Sequence, residues 1–215
     1  MKFRILVSGS SGLVGRSVIK ELEKNNLGSF EIFAPGRSEL NFLDREKVIN
    51  YFKEVKPTHV VNLAAKVGGI LANKTYPVDF FEENIKISLN TYEASRLVSV
   101  KRIINIGAGC GYPLRAKEPL KEDTLWDGRP QKESFAYSTA KKLLTVMGEI
   151  YLMQYGIKSI TLIPSNVYGP HDNFSLQNGH VVPALIHKIY HAKLNNENSV
   201  SIWGDGSAMR DFIFV

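Results

Sequence analysis

Tyr137 and Lys141 stand four residues apart in the stretch Ser134-Phe135-Ala136-Tyr137-Ser138-Thr139-Ala140-Lys141. In a helix that spacing puts both side chains on one face. A Lys ammonium beside a phenol favours the phenolate and lowers its pKa, so the pair can exchange protons near neutrality. Tyr–Lys pairs at this spacing are common on solvated helix faces, and the pair gains meaning only if the same chain builds a phosphate cradle. Such a cradle opens the sequence. Phe3-Arg4-Ile5-Leu6-Val7 reads as a short buried strand. Ser8-Gly9-Ser10-Ser11-Gly12-Leu13-Val14-Gly15 and a helical stretch from Arg16 to about Asn26 follow it. Gly9, Gly12 and Gly15 permit a tight turn, close backbone approach to a pyrophosphate and close helix–sheet packing. Phosphates would rest on free N–H groups where the helix starts.

Elements that must position these residues can be read along the chain. Strands and helices alternate, which predicts an α/β fold of the Rossmann type, a doubly wound parallel sheet with helices on both faces. The expected strands are Phe30–Ala34, His59–Leu63, Lys101–Ile106 and Lys158–Ile163, with helices from Asp44 to about Val55, Val78 to Leu97 and Ser134 to Tyr155. Beyond Pro164 the character changes. Asn166–Gly179 reads as a loop, followed by a helix near Val182–Leu194, a strand near Val200–Trp203 and a last strand in Arg210–Val215. Ligands of open parallel sheets bind beyond the strand C-termini. That edge holds the Gly9 turn, Leu63-Ala64-Ala65, the Gly107-Ala108 loop and Pro164-Ser165-Asn166-Val167.

The second strand bears on the cofactor. NAD-binding folds place Asp or Glu near its end for the ribose 2′-hydroxyl. Here the end is Ala34-Pro35-Gly36-Arg37-Ser38, with no carboxylate before Glu39. Arg37 can pair with a 2′-phosphate and Ser10 and Ser11 can donate to it, which points to NADP.

The bulk composition sets limits. At 215 residues, 44% hydrophobic and 22% charged, the chain has room for one α/β core plus a fragment of something else. No apolar run is long enough to span a bilayer, and Met1-Lys2-Phe3-Arg4 leads into a strand rather than a signal-peptide core. The one cysteine excludes an intramolecular disulfide framework and fits a reducing cytoplasm. The formal charge of +6 suits an anionic substrate or a Lys-rich solvated surface. No basic stripe with interleaved aromatics points to nucleic acid, and no motif points to a metal.

The glycine turn with Tyr137-x-x-x-Lys141 resembles the extended short-chain dehydrogenases/reductases. Further strings resemble the GDP-L-fucose synthase family, the GDP-4-keto-6-deoxymannose 3,5-epimerase/4-reductases, from residue 3 to 215: Ser38–Asp44, Ala64–Ile70, Asn73–Pro77, Gly109-Cys110-Gly111-Tyr112-Pro113, Pro164–Phe174 and Trp203-Gly204-Asp205-Gly206. The resemblance implies NADPH, a GDP-4-keto-6-deoxy sugar and a homodimer. By motif match Tyr137 protonates the C4 oxygen and Lys141 tunes it and holds the nicotinamide ribose. Cys110 and His180 match the epimerisation acid/base pair, and Lys188, Trp203 and Arg210 fall where the family contacts the nucleotide sugar. The chemistry agrees. A C4 ketone acidifies the hydrogens on C3 and C5, so inversion needs one group to remove a proton and another to return it from the opposite face, roles a thiolate and an imidazole can fill. Read alone, Cys110 after a strand is a small buried hydrophobe, His180 a cap, Arg210 a surface charge and Trp203 a core residue.

Two departures stand out. The family has Ser or Thr two residues before the cysteine, where this chain has Ala108. The family also continues beyond the position of Val215, so the expected organisation is a dinucleotide-binding domain over 1–165 and part of a substrate-binding region over 166–215. Rival expectations are a related GDP-sugar (heptose) C4-reductase, an epimerase or 4-dehydrogenase only, or a catalytically weak NADP-binding protein.

Overall fold

The computed structural model describes residues 2–25, 28–176 and 178–215. β1 (Phe3–Ser8), β2 (Phe30–Phe33), β3 (His59–Asn62), β4 (Arg102–Ile106) and β5 (Lys158–Leu162) form a five-stranded sheet in the order β2-β1-β3-β4-β5. Every pairing is parallel: Leu6 sits opposite Phe33 on one side and Val60 on the other, and Ile104 lies between Val61 and Ile160. The helices are α1 (Leu13–Lys24), α2 (Arg45–Val55), α3 (Ile70–Thr75), α4 (Pro77–Leu97), α5 (Phe135–Tyr155) and α6 (Val181–Leu194). The step from β1 to β2 runs one way and the step to β3 runs back past β1. Right-handed crossovers put helices of opposite steps on opposite faces, so α1 covers one face and α2, α4 and α5 the other. Leu6, Val60 and Ile103 point toward that second layer and pack with Phe52, Tyr92 and Leu144, all 0–1% exposed. The doubly wound sheet is the expected one.

Local differences have physical causes. α1 begins at Leu13, straight off the glycine turn, and its expected end at Asn26 lies outside the described residues. The short α3 was not anticipated, because six residues show too little periodicity. Asn166–Gly179, expected as a loop, opens with strand β6 (Asn166–Tyr168), which pairs in parallel with β7 (Phe212–Phe214). Val200–Trp203, expected as a strand, is irregular: the Ser201 carbonyl accepts from Lys188 Nζ (2.9 Å) on α6 instead of from a neighbouring strand.

Candidate active site

The cradle forms where the strand order reverses, between the ends of β1 and β3. Gly9 has φ +65°, and a Cβ there would lie 2.8 Å from the Leu63 carbonyl. A Cβ at Gly15 would lie 2.2 Å from the Gly9 carbonyl oxygen, so α1 rests directly on the turn. Ser8 Oγ accepts from the Leu63 and Ala64 amides (3.0 Å each) and donates to Asn62 Oδ1 (3.1 Å), which fixes the end of β3 beside the turn. Gly12 is the N-cap of α1 and offers no side-chain cap, and the helix has no acidic residue in its first turn. Its first N–H groups are therefore available to an anion. This arrangement fits a dinucleotide pyrophosphate.

A cleft of about 410 Å³ adjoins the turn, lined by Ser10, Ser11, Arg16, Lys20, Ala34 and Gly36, with Ile19 and Glu23 at its side. Arg37, the expected partner of a 2′-phosphate, is exposed and outside this lining. Ser10 is committed to holding the end of β2, donating to the Pro35 carbonyl (2.8 Å). Arg16 donates from Nε to the Ser11 carbonyl (2.9 Å), and Lys20 follows one turn later. Sequence reading passed over both cations. The one available signal was weak: a cation in a first turn is slightly disfavoured by the helix dipole, and a nearby phosphate would offset that.

Opposite the cradle, β4 and β5 end side by side. Gly107 N donates to the Leu162 carbonyl (2.7 Å), and a Cβ at Gly107 would press on the Ile163 and Thr161 side chains at 3.0 and 3.2 Å. Ala108 leads into a single tight turn, Gly109–Gly111, whose Cys110 is exposed rather than a buried hydrophobe. A Cβ at Gly109 would sit 3.6 Å from the Pro164 carbonyl. Leu63–Ala65, Gly107–Ala108 and Pro164–Val167 thus all lie at the C-terminal edge of the sheet.

α5 delivers the Tyr–Lys pair to this edge. The Tyr137 ring meets Phe80 of α4 edge-on, 6.2 Å between centroids. Lys141 is 7% exposed, and its ammonium has no hydrogen-bond partner among the described residues. Burial lowers its pKa from 10.5 to about 8, opposed by the charge of the nearby Cys110. For Tyr137, burial and then the Cys110 charge push the phenol well above its usual range. The sequence predicts a phenol acidified by Lys141; in the structure burial and the Cys110 charge both act the other way and keep Tyr137 protonated. Lys142 faces away, its Nζ 4.4 Å over the Trp126 ring and its stem against Gly111. A buried cation without a partner is costly, and it fits the ribose hydroxyls of a bound dinucleotide.

Tyr137, Lys141 and Cys110 are therefore brought together. His180 is exposed at the start of α6 and makes no hydrogen bond or ring contact with Cys110 or Tyr137 among the described residues. Its segment is nevertheless tied nearby: Gly69 N donates to the Asn178 carbonyl (3.1 Å), and a Cβ at Gly68 would lie 3.0 Å from Phe80, the ring beside Tyr137. Lys188 is held by Ser201, Trp203 is 76% exposed rather than core, and Arg210 donates to the adjacent Met209 carbonyl (2.6 Å). The structure does not bring these three to the Tyr137 pair. No acidic, His and Cys group able to hold a metal occurs among the described residues, and no helix among them is long and apolar enough to cross a membrane.

Comparison with known proteins agrees with this geometry. A GDP-L-fucose synthase of Dictyostelium discoideum is 38% identical over 217 residues, covering 99% of this chain; the chain spans 66% of that relative's length. A GDP-L-fucose synthetase from Naegleria fowleri, solved bound to NADP, superposes with a TM-score of 0.89 at 31% identity, over 99% of this chain and 69% of that one. A GDP-D-glycero-L-gluco-heptose synthase from Campylobacter jejuni, solved in the presence of NADPH, gives 0.86 at 30% identity, over 99% and 71%. The model of the NAD dependent epimerase/dehydratase family matches residues 5–215. With cradle, switch point and Tyr–Lys pair gathered at one edge of the sheet, this chain belongs to that family.

Proposed function

We propose that the chain carries the NADP-binding and catalytic part of a nucleotide-sugar epimerase/reductase acting on a GDP-4-keto-6-deoxy sugar. The convergence of Tyr137, the unpaired Lys141 and Cys110 on the edge that faces the glycine cradle carries this reading. Residues 1–165 are its dinucleotide-binding domain and 166–215 belong to the substrate-binding region. NADPH supplies the hydride to C4. Tyr137, protonated in its desolvated setting, gives its proton to the C4 oxygen, and Lys141 binds the ribose and balances the charge left on the phenol. Cys110 and His180 remove and return the protons on C3 and C5, while Tyr137 holds the enolate oxygen. Lys188, Trp203 and Arg210 are assigned to the nucleotide-sugar contacts of this region. The enzyme works in the cytoplasm as a homodimer.

A reductase of a related GDP-heptose is the second reading. The likeness to the Campylobacter jejuni GDP-D-glycero-L-gluco-heptose synthase favours it. One assay separates the two. The protein is incubated with NADPH and GDP-4-keto-6-deoxymannose in D₂O, following nicotinamide absorbance and deuterium at C3 and C5. Oxidation with uptake is the expected result. Oxidation without uptake supports a reductase only, and silence in both overturns the enzyme reading.

A further inference from the structure

Two serines, one within α5 and one at its N-cap, forgo the bonds their positions normally make. Several other helix hydroxyls bond back to a carbonyl one turn earlier: Ser88 to Asn84 (2.8 Å), Thr91 to Ile87 (2.8 Å), Thr139 to Phe135 (2.7 Å). That is the usual choice for Ser and Thr inside a helix. Ser138, 0% exposed, instead aims its Oγ at Cys110 Sγ (3.1 Å) and at Ser134 Oγ (3.2 Å). Ser134 occupies the N-cap of α5, yet its side chain caps no amide. A serine there ordinarily accepts from the second or third helical N–H. Its hydroxyl, half-buried, is turned to Ser138 one helical turn on.

Ser138 has one proton and two neighbours, so the row has two polarities. In one, Ser134 donates to Ser138 and Ser138 donates to a Cys110 thiolate. In the other, the Cys110 thiol donates to Ser138, Ser138 to Ser134, and Ser134 outward.

We propose that Ser138 and Ser134 form a hydroxyl relay that carries the Cys110 proton between substrate and solvent once a bound sugar covers the otherwise exposed Cys110; this rests on the epimerase reading above. The thiolate takes the proton from the carbon beside the ketone: the C–H bond breaks, its electron pair enters the enolate, and an S–H bond forms. The thiol proton then passes to Ser138 Oγ as the Ser138 proton moves to Ser134 and the Ser134 proton to water. The thiolate is restored with no net change in the serines. Ser138 is thus a positioning and relay residue acting through Cys110.

The test follows a substrate deuterated at C3 and C5 in H₂O. In the unaltered protein the label washes out fully. In Ser138→Ala the abstracted deuteron stays on the covered sulfur and returns to the face it left, so recovered substrate keeps its label and inversion slows about tenfold, the scale of one hydrogen bond to a charged group. NADPH affinity and hydride transfer to a 4-ketone that needs no inversion stay unchanged. Ser138→Thr restores washout, and Ser134→Ala shifts retention the same way as Ser138→Ala. A readout without substrate is iodoacetamide alkylation of Cys110, the one cysteine, which slows in Ser138→Ala and recovers in Ser138→Thr. Unchanged washout and alkylation in both Ala variants overturn the relay while leaving the epimerase reading intact. Absence of washout in the unaltered protein overturns both.

Discussion

Gly15 and Gly9 touch backbone to backbone: the side-chain carbon of any other residue at 15 would lie 2.2 Å from the Gly9 carbonyl oxygen. Gly15→Ala must therefore lift α1 off the turn. Overpacking of this kind costs about 1–3 kcal/mol, so urea denaturation shows that loss of stability, and NADPH titration shows loss of binding. Unchanged affinity would mean the turn does not hold the phosphates.

The cleft lined by Arg16 and Lys20 predicts where a 2′-phosphate is read. Removing both cations in Arg16→Ala/Lys20→Ala deletes charge-assisted contacts and weakens NADPH by about tenfold to a hundredfold. NADH binding changes little. Fluorescence titration with both nucleotides checks this, and equal losses for the two would place the phosphate elsewhere. Arg37→Ala, exposed outside the lining, has the smaller effect.

Lys141 makes stability depend on pH. Its pKa is about 8 in the folded chain against 10.5 ordinarily. Between those values the unfolded chain binds more protons, so stability rises with pH across that window. Below pH 8 the penalty of the buried ammonium is present in full, at most about 3 kcal/mol. Lys141→Met is therefore expected to raise the Tm of the cofactor-free chain at pH 7, with the gain shrinking as pH climbs from 8 to 10, while NADPH oxidation is lost. A Tm gain independent of pH would show that the ammonium is already neutralised at pH 7.

Ala108 stands where the resembled family has Ser or Thr, and in the proposed reaction a hydroxyl there would support the C4 oxygen. Ala108→Ser is expected to raise the rate of NADPH oxidation with the keto-sugar, since one oxyanion donor is worth on the order of 10²–10³ in rate. Stopped-flow absorbance at saturating substrate measures it. No gain would mean that Tyr137 alone stabilises the oxygen.

Asn62 donates to Asn105 (3.1 Å) and Asn105 to the fully buried Tyr92 hydroxyl (2.8 Å), joining β3 and β4 to α4 inside the core. Tyr92→Phe strands the Asn105 amide, at a cost of about 1–3 kcal/mol. Equilibrium unfolding in urea tests this against unchanged stability.

The features readable from the sequence are those fixed by local chemistry. The glycine turn, the Asp44 cap, whose carboxylate accepts from Lys47 N at 3.1 Å, and the four-residue Tyr137–Lys141 spacing each depend on neighbours along the chain. What escaped depends on partners far away. The three-residue β6 is a strand only because β7 pairs with it more than forty residues later. Val200–Trp203 has strand-like composition but finds no strand to bond. The upward shift of the Tyr137 phenol could not be read from Tyr–Lys spacing, because it comes from how deeply α5 sinks against Phe80 and Cys110. The same holds for the serine row, whose members are one turn apart but whose target sulfur comes from the end of β4.

The Ser8 hydroxyl grips the Leu63 amide across 55 residues of chain. A nascent polypeptide that has emerged only through β2 would display the whole glycine signature and still offer a nucleotide half a seat. Long-range parallel pairing forms slowly beside local structure, and a cradle that needs both strands is complete only after β3 docks. Ligand present at that moment stabilises the docked state by mass action, and a cell rich in the coenzyme would thereby trap newly made copies in their completed form.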